Sequence, residues 1–132
     1  MQKYLAVLAL AGLVVLLLLL PSTAADQAPK ADSSVQKTFD KLLNAIKAKD
    51  REAFVAEATD AVKKETTPEA MDALEKHVGS RLKGGFEATY LCQVKKGGIQ
   101  VYLWKLTFKD GGDDLVALMA LQDAKVASLH FQ

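Results

Sequence analysis

GGFEATYLCQVKKGGIQVYLWKLTFKDGGDDLVALMALQDAKVASLHFQ, residues 84–132, decides the fold. Paired glycines fall at Gly84-Gly85, Gly97-Gly98 and Gly111-Gly112, and Asp123-Ala124 forms a fourth break, at intervals of 12 to 14 residues. Glycine enters the left-handed backbone of a tight turn without steric penalty, so this spacing suits strands of about eight to ten residues joined as hairpins. The strands predicted are 86–95, 99–109, 114–122 and 125–131. Only the turns recur, so the segment is a meander and not a sequence repeat.

Side-chain alternation assigns the faces. In the first strand Phe86, Ala88, Tyr90, Cys92 and Val94 share one face, opposite Glu87, Thr89, Leu91, Gln93 and Lys95. The second strand is apolar on both sides, with Ile99, Val101 and Leu103 opposite Tyr102, Trp104, Leu106 and Phe108. The third also lacks a polar face, with Leu115, Ala117, Met119 and Leu121 opposite Val116, Leu118 and Ala120. Short helices can cover one such face but not two. The second face therefore implies a partner subunit, a ligand or the preceding tether as cover, or else a curl that buries part of both sides.

Upstream the period becomes helical. Val35, Phe39, Leu42, Leu43 and Ile46 form one stripe, with Ser33 or Ser34 as N-cap. Asp50 caps a second helix over about residues 51–64, with Phe54, Val55, Ala58 and Val62 apolar. Thr67, Pro68 and Glu69 start a third, with Met71, Leu74, Val78 and Leu82 as its stripe and Gly84-Gly85 as its left-handed stop. The fold class is α+β: three N-terminal helices packed on a four-stranded antiparallel meander.

The chain of 132 residues begins with an export pattern: Met1-Gln2-Lys3, the uncharged apolar run Tyr4 to Leu20, and the small residues Pro21 to Ala25. Signal peptidase accepts small side chains at the first and third positions before the cut, which places cleavage after Ala24 or Ala25. Residues 1–25 are thus a signal peptide, 26–34 a polar disordered tether, and 35–132 a single domain exported to the periplasm or the extracellular space. The other reading is a retained membrane anchor, which would tether the protein to the envelope. The exported part carries 16 basic and 16 acidic side chains, so it lacks the basic excess that phosphate neutralisation on nucleic acid requires. The lone Cys92 excludes an intrachain disulfide framework and a multi-cysteine metal site.

Helices followed by a long meander whose last hairpin runs LVALMALQDAKVASLHF resemble nuclear transport factor 2-like domains over Tyr102 to Gln132, with Asp123-Ala124-Lys125-Val126 in place of that family's usual Asp-Gly-Lys-Ile turn. The resemblance implies a sheet curved into a cone around the helices, often with a pocket at the open end and dimers through the outer sheet face. It differs in having no early hairpin between the second and third helices, which makes the cone a reduced one.

Chemistry-bearing residues are few. His77 lies at the edge of the third helix's stripe, and His130 shares a strand face with Val126 and Ser128 near the chain end. The two lack metal-ligand spacing, and no cofactor motif occurs. Asp113-Asp114 reads as a solvated turn, Lys95-Lys96-Gly97-Gly98 as a hairpin and not a phosphate loop, and Cys92 as a small buried hydrophobe. Lys105, on the face of Ile99, Val101 and Leu103, reads as a lysine reaching water from a sheet edge. Tyr90, Tyr102, Trp104 and His130 are the candidate ligand-binding residues. The expectation is a non-catalytic exported domain binding a small apolar molecule or a protein, as a homodimer through its sheet. The alternative is an isomerase or dehydratase with His130, Tyr90 or an aspartate as base, and a buried polar pocket around His130 would distinguish it.

Overall fold

A computed structural model describes residues 27–132. The signal segment, the cleavage positions and the start of the tether lie outside the described residues. The elements run α1 (Ser33–Ala48), α2 (Arg51–Val55), α3 (Asp60–Glu65), α4 (Pro68–Leu74), a π-helical turn (Glu75–Gly79), α5 (Ser80–Lys83), β1 (Phe86–Lys96), β2 (Ile99–Phe108), β3 (Leu115–Gln122) and β4 (Lys125–Phe131). The sheet is antiparallel with order β1-β2-β3-β4, so the α+β meander is as the glycine spacing predicts.

Three helical features differ from the sequence reading. Helix α1 begins at Ser33, inside the stretch read as tether, with Asp32 at its N-cap position but no side-chain cap bond. The second helix is two. Thr59 accepts the amide of Val62 and starts α3 afresh, and the chain between is extended enough for Ala58 to bridge Val126 in parallel. The third helix widens at Glu75–Gly79. There Gly79 lies so close to α1 that an added Cβ would stand 3.1 Å from the Ile46 carbonyl oxygen. Its stop comes at Gly85, whose φ is +107°, whereas Gly84 remains right-handed.

Helix α1 lays Val35, Phe39, Leu42, Leu43 and Ile46 on the inner sheet face, where they meet Tyr102, Trp104, Leu106, Phe108, Ala117, Met119 and Val126. At the centre the Phe39 and Trp104 rings stack 3.9 Å apart and 7° from parallel, both fully buried. Each ring of that size contributes roughly 1.5–3 kcal/mol on leaving water. The indole N–H is satisfied by Gln36 Oε1 at 3.1 Å, so the layer carries no orphaned donor at its middle.

Both edge strands carry an irregularity that strict alternation does not anticipate. The β1–β2 register shifts between Tyr90 and Cys92, leaving Leu91 as the extra residue of a bulge. Tyr90 opposite Trp104 stays inside, while Cys92 opposite Leu103 and Val94 opposite Val101 move to the outer face. Cys92 is therefore exposed and is not the buried hydrophobe that alternation implies. In β4 the shift falls at Ala127, which puts Val126 inside and Ser128 and His130 outside, so His130 does not share a face with Val126.

Helix α5 is clasped to the β2–β3 loop by one arginine. Arg81 donates from Nε to Asp110 Oδ2 at 2.8 Å, from Nη2 to Asp110 Oδ1 at 3.2 Å, and from Nη2 to the Asp113 carbonyl at 2.8 Å. Its guanidinium carbon sits 3.9 Å above the Phe108 ring. The Gly112 amide also donates to Asp110 Oδ1 at 2.8 Å. The Arg81 hydrogen bond first and the Gly112 amide second hold the Asp110 carboxyl at about 2, below its ordinary 3.8.

Candidate functional site

Three of the four predicted ligand-binding residues come together. Tyr90 meets Trp104 edge-on at 5.5 Å and Tyr102 lies tilted at 6.3 Å, so the inward rows of β1 and β2 form one aromatic group. Burial pushes the Tyr90 phenol upward, with the neighbouring Cys92 and Tyr102 adding to the same direction. Phe39 fills the space over Trp104, which makes this group the floor of the helix layer. The fourth residue, His130, is exposed on the other side of the sheet, opposite Leu118. Asp32 is the acidic group that acts on Tyr90, adding to the same upward push, and it lines a cleft with Tyr102, while neither histidine joins the aromatic group.

Two concave regions and one open face of the sheet bear on what this layer can bind. At the end where α1 begins, a cleft of about 490 Å³ is bounded by Asp32, Ser34, the Gly97-Gly98 turn, Tyr102 and the Asp123-Ala124 turn. Only Tyr102 among the predicted residues reaches it. A second groove, of about 430 Å³, runs between α4 and β4 and brings His77 and His130 to one depression with Ala70, Ala73, Leu74 and Phe131. Sequence reading kept the two histidines apart because they lie on elements whose adjacency only the tertiary structure reveals. Among the described residues no group of three or more His, Cys, Asp or Glu is placed to hold a metal ion.

The third region is the outer face of the sheet. Across β1, β2 and β3 it presents Cys92, Leu103 and Leu118 in one row, and Val94, Val101 and Ala120 in the next, with the half-buried Val116 beside them. Among the described residues Leu91 at 38% and Val94 at 45% exposure are the large apolar side chains most open to water. Curl of the sheet half-buries Val101, Leu103 and Leu118, so part of the second face is self-covered and part is open. Lys105 is exposed between Thr89 and Val116, on a central strand and not at an edge. The signal that could have found this face was present in the doubly apolar β2 and β3. What the sequence reading missed was the bulge that adds Cys92 and Val94 to it.

No protein-family model matches the chain, and no curated protein does. Among solved structures the chain is similar to an uncharacterised cystatin-fold protein from Novosphingobium aromaticivorans, at 16% identity and a TM-score of 0.41, covering 77% of this chain and 99% of that one. It is also similar to an NTF2-like protein of unknown function from Cytophaga hutchinsonii, at 11% identity and a TM-score of 0.42, over 79% and 93% of the two chains. A third neighbour is TerC co-crystallised with polyporic acid, at 14% identity and a TM-score of 0.40, over 76% and 91%. An NTF2-like protein thus stands among the structural neighbours. All three scores lie below 0.5, and the α+β assignment rests on the strand order and packing described above.

Proposed function

We propose that this is an exported, non-catalytic domain that works by association through the outer face of its sheet, first of all with a second copy of itself. The observation that carries the reading is the apolar surface of β1 to β3, which ends in the exposed Leu91 and Val94. A twofold interface uses the same patch on both subunits, so a self-complementary apolar face of this kind needs no second recognition surface. Every apolar Å² removed from water is worth about 25 cal/mol, which makes burial of this face the favourable term set against the lost freedom of association. The aromatic interior is less suited to a ligand, because Phe39 already occupies the place over Trp104. Export is supported by the positive start, the apolar run and the small residues at Ser22 to Ala25. Among the described residues no helix is long and apolar enough to cross a membrane.

Native mass spectrometry and sedimentation of the exported form test this reading together. The expected result is a dimer of chains that start near Ala25 or Asp26, converted to monomer by Leu91→Lys with Val94→Lys. Both positions face water in the single chain, so the double variant should keep its helical and sheet circular dichroism. A wild-type chain that remains monomeric at all concentrations, without retained mass, would overturn it.

A further inference from the structure

We propose that the free edge of β4 accepts an extended apolar peptide segment of another protein as an added strand, independently of the outer sheet face. The backbone geometry is the first observation. Gln132 and Val116 exchange both backbone bonds, at 2.7 and 3.0 Å. In an antiparallel ladder such pairs alternate with pairs whose N–H and C=O groups point away from each other. Phe131, opposite Ala117, and Leu129, opposite Met119, therefore turn their backbone groups outward from the sheet. No other backbone segment among the described residues bonds to either.

The same edge already accepts one isolated parallel bridge from its own chain. Val126 donates to the Glu57 carbonyl at 2.8 Å and accepts from the Thr59 amide at 2.9 Å, with Ala58 bridged beside it. Thr59 then caps α3 and the chain leaves the edge. A peptide along Leu129 to Phe131 would lie further along the same edge, past the point where the chain leaves it.

The groove between β4 and α4 supplies the side-chain site. Ala70 and Ala73 are small enough to leave room on one wall, with Leu74, His77 and Val78 along the same helical side. An added strand turns every second side chain toward that wall. The occupant is a polypeptide because outward donors and acceptors at a two-residue period are matched by extended backbone, and it is apolar at the groove-facing positions.

The test titrates the ¹⁵N-labelled chain with the peptide KTVTVTVK, which has the required apolar alternation and none of this chain's own edge sequence. Amide exchange at Leu129 and Phe131 should slow at least about fivefold on saturation, with little change at Val126. Methylating alternate backbone nitrogens of the peptide should weaken binding about tenfold or more, since each methyl removes a donor and blocks strand approach. Leu129→Pro should weaken it similarly, because it deletes an outward N–H and spares the β3 ladder. The methylated peptide gives the same information without altering the protein, should that variant unfold. Four results would overturn the proposal. One is no change at either amide with millimolar peptide, and another is equal affinity for the methylated peptide. A third is protection of both amides in dilute protein alone. The last is protection that grows with protein concentration in the absence of peptide, which would assign the edge to a second copy.

Discussion

Asp110 shows how much one side chain holds. It receives two bonds from Arg81 and one from the Gly112 amide, and its carboxyl sits at about 2 against an ordinary 3.8. A carboxyl depressed in the folded state adds stability that is fully present above the unfolded value and is lost as pH falls through the folded one. Unfolding midpoints should therefore drop between about pH 4 and pH 2, and Asp110→Asn should flatten that part of the profile while lowering the plateau at neutral pH. Denaturant titrations across pH 2–7 on both chains check it, and parallel profiles would contradict it. Neither member of this clasp was singled out from sequence, since the contact joins residues 29 positions apart. Tyr90, Tyr102 and Trp104 were legible because they keep strict alternation up to the bulge. Cys92 and His130 were misplaced for one reason each, the extra residues Leu91 and Ala127, and neither site carries a glycine or proline that would mark it.

Turn chemistry governs the elements. The β3–β4 turn places Asp123 at φ 49° and Ala124 at φ 62°, where the β1–β2 turn has Gly97 at 59° and Gly98 at 82°. A left-handed residue with a Cβ costs roughly 1–2 kcal/mol, part of which glycine gives back in the unfolded chain. Ala124→Gly should thus stabilise by about 0.5–1 kcal/mol, read as a rise in denaturation midpoint at unchanged m-value. A loss of stability would mean that the Ala124 methyl makes a contact of its own. Strand positions were readable to within one or two residues because breaks so evenly spaced admit few other structures. Helix positions were less so. The split at Ala58 needs the tertiary partner Val126, although the cap at Thr59 was available as a local signal.

At the scale of the molecule, α1, the broken third helix and the inner sheet face share one core. A single core predicts a single transition: calorimetric and van't Hoff enthalpies should agree, near 60–80 kcal/mol for a domain of this size. The only tryptophan is at the centre of that core, so its fluorescence and far-ultraviolet circular dichroism should report the same midpoint. Two separated transitions would place the helices and the meander in different units. The irregular edges have a further consequence for how copies of this molecule can join. Polymers built strand upon strand need a long straight edge at each end of the sheet. Here β1 is interrupted at Leu91, and β4 at Ala127 and again where Ala58 occupies Val126. The straight stretches left at either edge are short, which disfavours propagation strand upon strand.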